Sequence, residues 1–419
     1  MKMNVKSSIS LFAILIVSDL VFSSFTPHPH EDQADALITW KTSLSHFNIT
    51  GALATWNTNT TSSHTTPYSP CKWQGIVCSH NGRVEMIQLG NEGLVGDLKN
   101  FNFSSFHDLS ELQLSFNNLT GSIPPQIGKL KSLTYLGFSE NKFHGLIPST
   151  IRNLTNLLFL KLNGNQISGT IPNELFHLSQ LQFLYLDHNQ LVGSIAPSIG
   201  QIKSLRELDL SFNKLSGPIP TTLVNISILA VLAMQNNQIN GSIPEEIGQM
   251  FQLRYLVLGS NQLVGSIPPS LGQLIFVSML SLYDNKLTGP IPIELAHLTA
   301  LDYLDLSSNQ LTGDPRELIC ALPELIYFNI SHNMIEENSS LIYKGNLPKP
   351  PRLFRNGECV AANISRYLHT FNNSNINKRN CKDIIIIVLF SGTFILLVLF
   401  GVLLKRNTMK EIKSKWEGQ

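Results

Sequence analysis

Between Leu112 and Asn333 the apolar positions keep neither a helical nor a simple strand period; they return as a block. In each block two apolar residues stand two apart, five and three positions before an Asn, as Leu208 and Leu210 stand before Asn213. That Asn recurs every 24 residues without a slip, at Asn117, Asn141, Asn165, Asn189, Asn213, Asn237, Asn261, Asn285, Asn309 and Asn333. Four residues after each of the first nine comes a Gly, from Gly121 to Gly313. An earlier, irregular unit, "IQLGNEGLVGDL", carries Glu92 at the Asn position. Spacing by two over three or four residues predicts a short strand with both apolar side chains on one face.

The unit "LRELDLSFNKLSGPIP" (205–220) shows why the block has this length. Leu208 and Leu210 point inward, and Leu205 and Leu215 close the coil from either side. The Asn213 amide both donates and accepts, so it can satisfy backbone groups of adjacent coils and build a ladder through a stack. Gly217 permits a backbone conformation that other residues resist. Pro220, lacking an N–H, is expected to end the second extended piece. No coil buries its core alone, so about ten must stack into a curved solenoid with a parallel sheet on its concave face.

The "GxIP" element in "LTGSIPPQIGKLKSLTYL" and "LVGSIPPSLGQL" resembles the plant-specific repeat of leucine-rich-repeat receptor-like kinases and receptor-like proteins. Ahead of the repeats, "DQADALITWKTSL" and "CKWQGIVC" resemble that family's N-terminal cap. The resemblance covers residues 31–340 and implies an α/β solenoid. This is a right-handed superhelix of about ten 24-residue repeats with an N-terminal disulfide cap, followed by one transmembrane helix. It implies a Cys71–Cys78 disulfide, with Trp40, Trp56 and Trp73 packed over the first coil. Two departures stand out: "LTGDPRELIC" loses the Ile-Pro, and "YKGNLPKPPRLFRNGEC" lacks the Cys expected soon after Gly-Asn. Cys320, Cys359 and Cys381 therefore leave an odd count, and Cys359 with Cys381 is the preferred pair.

The 419 residues carry a net charge of +1 and are 43% hydrophobic and 14% charged, which is neither a disordered composition nor the basic excess of a nucleic-acid binder. Both ends carry membrane signals. Lys2 and Lys6 precede an apolar stretch and small residues, the layout of a signal peptide over 1–24. Ile384–Leu404 is 21 residues without a charge, and at 1.5 Å per residue it spans roughly 30 Å, the thickness of a bilayer core. The predicted organisation is a cap over 25–83, the solenoid over 84–340, a C-terminal cap and juxtamembrane segment over 341–383, a transmembrane helix over 384–404 and a cytoplasmic tail over 405–419. Lys405, Arg406, Lys410, Lys413 and Lys415 place that tail inside, giving a single-pass type I protein of the plasma membrane with its repeats outside. Eleven Asn-x-Ser/Thr sequons fall on the outer side: Asn48, Asn59, Asn102, Asn118, Asn153, Asn225, Asn240, Asn329, Asn338, Asn363 and Asn372.

Strand positions six, four and two before each ladder Asn point away from the core. The six-before column carries Tyr135, Phe159, Phe183 and Tyr255; the others add Lys161, Tyr185, Asp187 and Asp209. Aromatic residues exposed on a concave sheet are good contact residues, although strand propensity alone also places aromatics there. These eight residues are the candidate ligand surface. By resemblance, such a surface binds extracellular peptides, steroid hormones or partner receptors. Some family members hold a free peptide carboxylate with an Arg-x-Arg pair, and none stands in these repeats.

No spacing of His, Cys and carboxylates suggests a metal, and no phosphate loop, nucleophile elbow or kinase signature is present, so no cofactor and no catalytic role are expected. His188 and His332, just before ladder Asn residues, read as exposed polar groups. The leading expectation is a receptor-like protein that binds an extracellular peptide or protein and signals through a partner, or co-receptor, kinase. The alternatives are a truncated receptor kinase and a secreted defence protein resembling polygalacturonase inhibitors.

Overall fold

The computed structural model describes residues 31–48, 50–57, 69–315, 318, 321–322, 325–335, 354–355 and 358–359. The signal segment, the 384–404 span, the tail, Cys320, Cys381, Asn59, Asn338, Asn363 and Asn372 lie outside them, as does the side chain of Cys359. Among the described residues no helix is long and apolar enough to cross a membrane.

One twelve-stranded sheet runs the length of the solenoid. It opens with an antiparallel pair, β1 (Ile76–Cys78) and β2 (Val84–Gln88), and continues through parallel three-residue strands from Glu111–Gln113 to Tyr327–Asn329. From Glu111 onward the register steps by one repeat, Glu111 opposite Tyr135 and Phe183 opposite Glu207. A second, eight-stranded sheet, from His144–Gly145 to Gln310–Thr312, lies on the other side of each turn. Leu205, Leu208, Leu210 and Leu215 are fully buried between them, as expected from their spacing.

The ladder is as regular as the sequence. Asn213 donates its amide to the carbonyls of Leu186 in the preceding coil (3.0 Å), Leu210 (3.2 Å) and Ser211 (3.0 Å), and accepts from the Leu191 N–H (2.9 Å). One half-buried side chain thus satisfies four backbone groups and staples two coils. The residue before the ladder Asn is forced into the left-handed region, with φ near 51–60° at Phe116, Glu140, His188, Phe212 and Ser308.

Two features differ from the sequence expectation. From Pro125–Lys129 to Ile293–His297 the third side of the coils is a five-residue 3₁₀-helix, such as Thr221–Asn225, rather than the α-helix that an α/β solenoid implies. The 24-residue unit leaves too few residues there for two α-turns. Pro220 does not end the second strand, which stops at Gly217 (φ 78°); it caps the start of that 3₁₀-helix, where its missing N–H costs nothing.

The α-helix α1 (Glu31–Ser43) belongs to the cap. Buried Gln33 ties it down, donating to the Ser105 carbonyl and accepting from the Val84 N–H, both at 2.9 Å. Trp40 donates to the Asp97 carbonyl and meets Phe101 edge-on, while Trp56 stacks on Trp73 at 5.5 Å. Cys71 and Cys78 form the expected disulfide.

Candidate functional site

Parallel pairing with no slip brings the six-before column into a continuous row. Tyr135 contacts Phe159 at 5.6 Å, and Phe159 stacks flat on Phe183 at 4.5 Å with 1° between the planes. All three rings are half-buried, each covering its neighbour, so their outer faces remain available while part of their area stabilises the sheet. Tyr255 lies further along the same column, beyond Glu207 and Val231, and is also half-buried.

Lys161 sits between two rings, its ammonium 5.7 Å from the Tyr135 centroid and 5.4 Å from that of Tyr185. Burial lowers its pKa, partly offset by the Glu207 charge. Here the structure departs from a uniformly exposed surface. Tyr185, Asp187 and Asp209 are buried, at 4%, 1% and 7% exposure. Tyr185 donates its hydroxyl to the Glu207 carboxylate, and burial together with that anion pushes its pKa upward. Tyr185 lies in register between Lys161 and Asp209, and being buried, these positions support the surface rather than present it.

Asp187 and Asp209, placed on this face by the spacing, couple with Glu140 and His188, which the spacing did not bring to them. Asp187 accepts a hydrogen bond from Nδ1 of His188 at 2.9 Å, while its other oxygen has no hydrogen-bond partner among the described residues. His188 is half-buried and stacked on Phe212 at 4.2 Å, not freely exposed. Its bond to Asp187 raises its pKa, against the effect of burial. Asp209 accepts from the N–H and hydroxyl of Ser211, yet burial, reinforced by Asp187, holds its carboxyl well above the usual carboxylate range. Glu140 is raised by burial and by Asp187, and its carboxylate lies over Gly164. A Cβ on Gly164 would fall 2.4 Å from the Glu140 Oε1, at a φ of +64°. Among the described residues no group of three or more His, Cys, Asp and Glu is placed to hold a metal.

Of the described sequons, Asn48, Asn102, Asn118, Asn153, Asn225 and Asn240 are exposed. Asn329 differs: half-buried on the concave sheet, it accepts from the Ser331 N–H and hydroxyl and donates to the Tyr327 hydroxyl. The other residues that sequence reasoning missed at the site are Glu207, Arg206 and Arg254. Each stands in a column of mixed chemistry, so only the register shows which neighbours it meets.

The fold and its capped end define a class, a leucine-rich-repeat solenoid with a plant-type cap. Family models agree: a leucine-rich-repeat N-terminal domain matches residues 30–79, a leucine-rich-repeat region matches 96–225, and further repeat models match 203–263 and 300–322. The chain carries leucine-rich repeats behind a leucine-rich-repeat N-terminal domain, and its relatives are plant leucine-rich-repeat receptor-like kinases. It is 37% identical over 119 residues to a probable leucine-rich-repeat receptor-like protein kinase of Arabidopsis thaliana, a match covering 27% of this chain and 10% of that one. The chain therefore matches about a tenth of the length of that curated relative. Among solved structures it resembles the ectodomain of the Arabidopsis thaliana membrane receptor kinase GASSHO1/SCHENGEN3, in complex with CASPARIAN STRIP INTEGRITY FACTOR 2. That likeness has a TM-score of 0.59 and 35% identity, over 62% of this chain and 31% of that one. The Arabidopsis receptor kinase HAESA, bound to the peptide hormone IDA and the co-receptor SERK1, gives a TM-score of 0.54 at 28% identity, over 73% of this chain and 58% of that one.

Proposed function

We propose that the chain is the ligand-recognising part of a plant plasma-membrane receptor, and that its concave sheet binds an extended extracellular peptide or a short segment of a partner ectodomain. The observation that carries this reading is the row Tyr135–Phe159–Phe183, three rings in mutual contact and in strand register on the inner face of the solenoid. Rigid aromatic rings give contact area at little entropic cost. Solved relatives binding peptides through the same fold support the reading. The signal then passes to a partner kinase, with the sequons on the outer side glycosylated and the 384–404 segment in the membrane. The reading holds equally for a receptor-like protein and for the outer part of a receptor kinase. The test is binding of an end-capped peptide library to the full chain and to a Phe159→Ala/Phe183→Ala variant. Loss of most binding, with the melting transition retained, supports the reading; undiminished binding refutes it.

A further inference from the structure

A hollow of about 390 Å³ opens where three consecutive concave strands begin. The aromatic row is interrupted there: Phe183 stands at one end and Tyr255 at the other, with Glu207 and Val231 between them. Ile228, Ala230 and Val231 give the hollow an apolar floor. Arg206 and Arg254 flank it, both exposed. One backbone ladder fixes their relation. The Ala230 N–H donates to the Arg206 carbonyl at 2.7 Å, and the Arg254 N–H donates to the Ala230 carbonyl at 2.8 Å. The two arginines therefore leave the sheet on either side of a single methyl group, two strand spacings or about 10 Å apart at the backbone. Glu207 is the one carboxylate in this lining, and its charge is engaged by the Tyr185 hydroxyl.

We propose that this hollow is a subsite for the side-chain carboxylate of an Asp or Glu inside an extended peptide. The inference rests on the concave sheet being the peptide-binding face, and it adds which chemistry the middle of that peptide must carry. Two exposed arginines flanking one small residue supply planar pairs of N–H donors, the donor geometry that matches a carboxylate. The apolar floor suits the methylene stem below such a group. An internal residue fits better than a chain end because aromatic contacts continue on both sides. Phe159 and Tyr135 extend the row in one direction, and Tyr303 stacks on Tyr327 at 4.3 Å in the other.

The experiment uses the full chain in detergent and a random twelve-residue peptide library, acetylated and amidated so that only side chains carry charge. Selected peptides are compared between the wild type, Arg206→Gln/Arg254→Gln, and Ala230→Glu, which puts a protein carboxylate between the arginines. The wild type should enrich Asp or Glu at one internal position by roughly tenfold, and both variants should lose that enrichment while still retaining apolar and aromatic peptides. Enrichment that persists in the variants, or peptides selected without an acidic preference, overturns the subsite but leaves the peptide-binding face standing. A preference seen only in a parallel library with free C-termini overturns it in favour of a terminal carboxylate. If the wild type retains no peptide from either library, the peptide-binding reading itself fails.

Discussion

Phe159 and Phe183 lie face to face on adjacent parallel strands, 4.5 Å apart and 1° from coplanar. Stacking this close makes the pair both a structural element and the flattest platform on the concave sheet. A double-mutant cycle with Phe159→Ala and Phe183→Ala should return a coupling of about 0.5–1.5 kcal/mol in urea unfolding. Additive single losses would mean the two rings contribute only by area.

The ladder carries a larger local share of stability. Asn213→Ala leaves the Leu191 N–H without its acceptor and removes one donor from each of three carbonyls. Losing this half-buried amide is expected to cost about 1–3 kcal/mol. Because a solenoid couples mainly nearest neighbours, hydrogen exchange should rise around residues 186–215 before it rises at either end. Uniform loss of protection along the chain would contradict this.

Stability should fall as pH rises. Burial raises the folded pKa of Asp209 from 3.8 to about 8, so the folded chain keeps a proton that the unfolded chain has released. That contribution is fully present below pH 3.8 and is lost as pH rises through about 8. His188, raised above 6.5 by Asp187, acts in the same direction over the upper part of that window. The melting temperature should therefore decline between mildly acidic and alkaline pH. Asp209→Asn, which keeps an oxygen for Ser211, should flatten the decline. An unchanged slope in that variant would show that Asp209 is not its source.

Backbone strain repeats with the coil. Ser308 holds φ at 55°, in the left-handed region that favours glycine, beside a ladder Asn309 held by its own hydrogen bonds. Ser308→Gly should stabilise the chain by up to roughly 1 kcal/mol, and Ser308→Val should destabilise it by at least as much. Chemical denaturation of the two variants checks the sign of each.

The coil was legible in the sequence because its constraints are local and repeated. Leu208, Leu210 and Asn213 each answer a requirement that recurs every 24 residues, and the cap's Cys71 and Cys78 sit seven apart. The third side was misread because "IP" marks the boundary of a helix too short to show a period of its own. The site was legible as a column but not as a surface. Tyr185 and Phe183 stand two apart on one strand, yet the first is closed over by Lys161 and bonded to Glu207 while the second keeps an open face. Burial on this sheet depends on the size and charge of residues 24 positions away on either side. His188 illustrates the same limit, since its environment comes from Phe212 and Glu140 in other coils.

The central claim is that ligand is held on the concave aromatic row, and hydroxyl-radical footprinting tests it most directly. The full chain is labelled with and without a capped peptide selected from the random library, and oxidation is read residue by residue. Tyr135, Phe159, Phe183 and Tyr255 should lose reactivity on binding, while Phe116 and Leu146, exposed at 50% and 62% outside that row, should not change. Protection at Phe116 or Leu146 with the four row residues unaltered would contradict the claim.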